Sequence, residues 1–179
     1  MCTTSNVVSP VLDLDRTHNI YIDNIINSNT SGETNPTGGS LFNKYISKTV
    51  TLADGQDAED LQVTLTSYRP PTSDVKVYAK ILHGEDSDIF AQKSWVELEK
   101  QGDGDITYSS ATDRNDFIEY TYKFPASMMT GTNDAVEYTN SAGTSFTGYK
   151  YFAIKIGLTA TNSAVIPRVA DLKCIALQL

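Results

Sequence analysis

Apolar and polar positions alternate most cleanly near the end of the chain. In Tyr151-Phe152-Ala153-Ile154-Lys155-Ile156-Gly157-Leu158, the residues Phe152, Ile154, Ile156 and Leu158 fall on one face. Ala153, Lys155, Gly157 and Thr159 fall on the other, a period of two that predicts a half-buried strand. A polar turn over 160–164 follows, and the closing run 172–179 is apolar on both faces, which predicts a strand in the middle of a sandwich.

The same pattern recurs upstream. Leu61, Val63 and Leu65 alternate with Gln62, Thr64 and Thr66, and Val75, Val77, Ala79 and Ile81 form the buried face of the next run. The stiff turn Arg69-Pro70-Pro71-Thr72-Ser73-Asp74 separates them, since proline fixes φ and cannot continue a ladder. Ile118, Tyr120, Tyr122 and Phe124 share one face of another strand, which Pro125 ends. No stretch of ten or more residues has helical period, and no fixed repeat is present. About seven or eight strands between 46 and 179, spaced by turn signals, predict an all-β antiparallel β-sandwich of jelly-roll-like type.

The first 45 residues read differently. Residues 1–15 hold no period, while His18–Ile26 predicts one strand with Ile20 and Ile22 inward. Residues 28–40 are rich in glycine, asparagine, serine and proline, a composition that buries too little apolar surface to order itself. The expected organisation is an irregular N-terminal arm over 1–45 and a sandwich domain over 46–179. The polar stretch 127–147 is expected to be a long loop, and such loops usually contact something.

Charge narrows the function. A formal net charge of −8, with scattered lysines and arginines, gives no basic footprint for nucleic acid. No apolar run approaches the roughly 20 residues a bilayer span needs, and Met1-Cys2-Thr3-Thr4 lacks the basic and apolar parts of a secretory leader. The two cysteines, Cys2 and Cys174, are expected to stay unpaired, with Cys174 a buried thiol in the last strand.

Candidate chemistry is thin. The acidic turn holding Asp54, Asp57 and Asp60 has the oxygen ligands Ca²⁺ prefers, but its spacing departs from an EF-hand, and a solvated turn is the plainer reading. His18 and His83 stand apart from any zinc-ligand spacing. Trp95 and Tyr108, with Tyr78, Tyr120 and Tyr122 nearby in pattern, could offer a glycan-stacking platform, against the ordinary alternative of core packing. Neither a nucleophile motif nor a paired-carboxylate motif stands out, so no catalytic activity is expected.

Three stretches taken in order carry a resemblance: Thr49–Leu61; Asp74–Leu82 followed by Phe90 and Trp95; and Phe152–Ile156 with Pro167–Leu177. Together they resemble a β domain of virion structural proteins of T4-like tailed bacteriophages, including marine phages, of the tail and baseplate-associated kind. The resemblance covers about residues 46 to 179. It implies a particle component made in the host cytoplasm, other virion proteins as partners, a homo-oligomer within a symmetric particle, and no reaction. The arm and the long loop are then the expected interface segments. Their apolar residues are Ile20, Tyr21, Ile22, Ile25, Ile26, Leu41 and Phe42 in the arm, and Tyr138 and Phe146 in the loop. A carbohydrate-binding module recognising a host glycan through Trp95 and Tyr108 is the alternative.

Overall fold

The alternating runs become strands. The computed structural model describes residues 8–13, 18–131 and 134–179. In chain order the strands are β1 (Val8–Asp13), β2 (His18–Asp23), β3 (Asn43–Ile46), β4 (Val50–Thr51), β5 (Asp60–Tyr68), β6 (Ser73–Leu82) and β7 (Val96–Glu97). They continue as β8 (Glu99–Lys100), β9 (Ile118–Lys123), β10 (Met129–Thr130), β11 (Ala135–Thr139), β12 (Ser145–Thr147), β13 (Tyr151–Ala160) and β14 (Arg168–Leu177).

Two sheets form the sandwich. One has the order β3-β13-β6-β7, with β4 also pairing β13, and the other runs β14-β5-β9-β8. All pairings are antiparallel. The connectivity is nested: β5 pairs β14, β6 pairs β13, and β8 pairs β9. The inward faces are those the alternation predicts. Leu61, Val63 and Leu65 meet Val75, Val77, Ala79 and Ile81, with Tyr120, Tyr122, Phe124, Phe152, Ile154 and Ile156 completing one continuous core.

The two flanks of the sandwich differ. On one, the chain crosses from β7 to β8 through the single residue Leu98, which is buried and donates its N–H to the Val77 carbonyl at 2.8 Å. That crossing ties the sheets together, and β7 and β8 are only two residues long. On the other flank lie β3 and β14, the opposite edges of the two sheets.

Several expectations are corrected. β14 is an edge strand and not a central one: its side chains are half-buried or exposed, and Cys174 is exposed although it shares the inward face of Leu172 and Ala176. β13 is buried on both faces, because Ala153, Lys155 and Gly157 are also covered. What covers them is the stretch 29–42, together with Trp95. Residues 24–46 are therefore part of the sandwich, and β3 pairs directly with β13. Farther upstream, β1 and β2 form a hairpin that pairs Val11 with Ile20, so the start of the chain includes regular structure. The long loop is instead a small sheet, β10-β11-β12, whose Ala135 and Val136 are buried.

Ordering of the breaker-rich stretch comes from polar anchors that hydrophobic pattern does not register. Glu33 is 1% exposed. Its carboxylate accepts from Lys155 Nζ at 2.9 Å, from Lys44 Nζ at 3.0 Å and from the Leu41 N–H at 2.8 Å. Burial raises the cost of its charge, but these three donors outweigh that and hold its carboxyl below the ordinary range. Gly39, at φ +98°, lets the chain pass this carboxylate, since a β-carbon there would sit 2.2 Å from Glu33 Oε1. Leu41 then closes over Gly157.

Candidate interaction surface on the open flank

β3 and β14 leave their outer edges unpaired among the described strands. Between them the two sheets gape, forming a cleft of about 440 Å³ lined by Tyr45, Ile156, Leu158, Val169 and Leu172, with Asp171 at its rim. The lining is mostly apolar, with Asn43 and Lys44 on the β3 side and Asp171 on the β14 side.

The chain along the upper rim is unusually apolar for a surface. Phe42, Tyr45, Ile46 and Val50 are 66%, 54%, 55% and 41% exposed. All four belong to one nine-residue run whose backbone is held by β13. Ser47 fixes the step between β3 and β4: its N–H donates to the Ile154 carbonyl and its hydroxyl accepts from the Ile154 N–H, each at 2.9 Å. The exposed side chains are thus displayed on a rigid edge. By register Tyr45 and Val50 lie on the core-side face of this edge and Ile46 on the outer face. Apolar side chains are therefore exposed on both faces of the edge beside the open cleft, a surface that suits an interaction site.

The expected contact residues divide. Phe42 lies on this rim, and Ile25 is exposed, at 70%. Ile26 is half-buried. Leu41 is buried under the cover of β13 and is unavailable to a partner. For Ile20, Tyr21 and Ile22 only the backbone, in β2, is described. Tyr138 and Phe146 sit on the small sheet and serve the fold. Tyr138 donates its hydroxyl to Asp86 at 2.8 Å and accepts from the His83 N–H at 2.8 Å, and Phe146 stacks on His83 with ring centres 5.0 Å apart. Tyr45, Ile46 and Val50 were missed because they sit on two short strands, Asn43–Ile46 and Val50–Thr51, too brief for a period of two to show which face is covered.

The glycan platform does not assemble. Trp95 is 6% exposed and packs with Tyr78 and Ala153 on the outer face of β6 and β13, roofed by Lys80 and Lys155 at 4.8 and 5.0 Å from its ring. Tyr78, Tyr120 and Tyr122 are buried. Tyr108 is exposed, but one face of its ring covers the Arg69 guanidinium at 4.4 Å, beyond the end of β5 and away from the sheet that holds Trp95.

The three acids of the 54–60 turn are engaged separately. Asp54 pairs with Lys150, and Asp57 lies 3.9 Å from His83 Nε2. Asp60 is buried between Lys123 at 2.9 Å and the N–H of Leu61 at 2.7 Å. Among the described residues no three histidine, cysteine or carboxylate side chains converge as a metal site would need. No helix among them is long and apolar enough to cross a membrane.

Comparison with protein-family models, with curated proteins and with solved structures gives no match in any of the three.

Proposed function

We propose that this chain is a structural component of a tailed-phage virion, working through protein–protein contacts and not through catalysis. The assignment to a particle rests on the ordered resemblance of Thr49–Leu61, of Asp74–Leu82 followed by Phe90 and Trp95, and of Phe152–Ile156 with Pro167–Leu177. The mode of action rests on one observation: Phe42, Tyr45, Ile46 and Val50 are exposed along one rigid sheet edge, on both of its faces, beside a mostly apolar cleft. A sandwich of this kind offers shape and display. Its core fixes the edge strands in space, and neighbouring subunits bury the rim, where repeated contacts in a symmetric particle add up.

The testing experiment is incorporation. Phe42→Ser and Tyr45→Ser remove apolar surface that the isolated chain leaves in water, so both variants should fold with unchanged thermal stability. Added to particles assembled without the native protein, they should be absent or strongly depleted, as read by mass spectrometry of purified virions. Wild-type occupancy by both variants would overturn the reading.

A further inference from the structure

We propose that β14 is a self-association edge, through which two copies of this chain pair antiparallel about a two-fold axis at Leu172. This deepens the reading of the open flank as an interaction surface and rests on it.

The strand itself supplies the template. β14 is ten residues long, hydrogen-bonds β5 along one side and meets no described strand along the other. It contains no proline, and its single irregularity lies between Val169 and Asp171. Proteins usually blunt such an edge, because its free N–H and C=O groups accept another strand. The opposite edges show that economy, with β7 and β8 reduced to two residues each.

The order of charges chooses the occupant. A contact across a two-fold axis must be self-complementary, since each residue meets a residue of the same patch. Around Leu172 the sequence is Ala170-Asp171-Leu172-Lys173-Cys174. A two-fold axis at Leu172 sets Asp171 opposite Lys173 of the second copy, twice, with Leu172 opposite itself and Ala170 opposite Cys174. Asp171 and Lys173 are both exposed in the single chain. Opposite charges directly across an antiparallel pair attract, and the same two residues repel like charges in any register that aligns them with themselves. The chain as a whole carries −8, yet β14 holds two basic residues and one acidic residue. This edge is therefore spared the chain's overall negative self-repulsion. Pairing also brings Tyr45 and the apolar cleft of each copy to the joint.

The test uses the purified full chain. Sedimentation velocity should show a dimer. Asp171→Lys alone and Lys173→Asp alone should each weaken it about tenfold or more, by making like-charge pairs of attractive ones. The double variant D171K/K173D should restore it. Both positions are exposed, so folding is retained and is checked by circular dichroism. In a background of Cys2→Ser and Cys174→Ser, Leu172→Cys should form an intermolecular disulfide. Directly opposed antiparallel residues stand about 4.5–5.5 Å apart at Cα, within the range such a bond accepts. A monomer at all concentrations, a dimer unaffected by the single charge changes, or failure of the double variant to restore it would overturn the inference. Cross-linking of β14 to the N-terminal hairpin of the same chain would do so too. If these fail while Phe42→Ser and Tyr45→Ser still block incorporation, self-pairing falls and the structural role stands.

Discussion

Lys155 Nζ and Glu33 Oε2 lie 2.9 Å apart, with both side chains 1% exposed, although 122 positions separate them in the chain. This pair fastens the stretch 29–42 across the outer face of β13. The ammonium also meets the Glu33 carbonyl and the ring of Tyr78 at 4.6 Å, so its donors are well used. Removing one member leaves the other charged and dry. Glu33→Ala should cost about 3–5 kcal/mol in urea unfolding, whereas Glu33→Leu with Lys155→Met should cost much less, because no lone charge remains.

The same fastening governs truncation. Read as a free arm, residues 1–40 could be deleted without harm to the fold. With Glu33 buried against the outer face of β13, that deletion uncovers Lys155 and Trp95 and removes the carbonyl of Pro36 from Lys80. The truncated chain should unfold at clearly lower denaturant than the full chain, measured by tryptophan fluorescence, with Trp95 shifted toward water-exposed emission. An unchanged midpoint would show that the cover contributes nothing.

Gly157 and Leu41 are a second fastening. A β-carbon at position 157 would stand 2.4 Å from Leu41 Cδ1, so Gly157→Ala must push the leucine out of its seat. The expected cost is about 1–3 kcal/mol. Gly157→Ala combined with Leu41→Ala should be less damaging than the sum of the two, a coupling that a double-mutant cycle on thermal stability reads directly.

Asp86 predicts an acid-sensitive seam between the loop after β6 and the β11–β12 hairpin. Burial opposes its charge most strongly, yet it accepts from the Asp88 N–H at 3.0 Å, Tyr138 Oη at 2.8 Å, Asn140 Nδ2 at 3.1 Å and Lys93 Nζ at 3.3 Å. Together these bring its carboxyl down from 3.8 to about 2. A depressed carboxylate stabilises the fold fully above its unfolded value and loses that contribution as pH falls through the folded one. Wild type should thus lose thermal stability between about pH 4 and pH 2, and Asp86→Asn should flatten that part of the profile while lowering the plateau. Identical slopes for the two proteins would remove Asp86 from the account.

The core was legible because strand faces write themselves into sequence with a period of two. Leu61, Val63 and Leu65, Val75, Val77, Ala79 and Ile81, and Phe152, Ile154, Ile156 and Leu158 all face inward as that period requires. Position within a sheet is not written the same way. β14 has the apolar content of a central strand, yet it lies at an edge, because the nesting of β5 with β14 leaves no further strand to cover it. The stretch 29–42 misled for the opposite reason: its apolar content is low, and its order comes from one buried carboxylate and glycines at positive φ, at Gly32, Gly38 and Gly39. Trp95 could be read as platform or core from its spacing alone; the two lysines that roof it, Lys80 and Lys155, come from β6 and β13. The exposed rim was only partly visible, through Phe42, since exposure depends on which neighbours arrive and not on the residue itself.

The passage of the chain through Leu98 has a consequence for growth. A building block stitched shut along one margin presents two bare borders on the other, β3 and β14 among the described strands. Joining a twin through β14 uses up one border and leaves the β3 border of each copy bare, so growth into any larger architecture must proceed from β3, the rims and the loop tips.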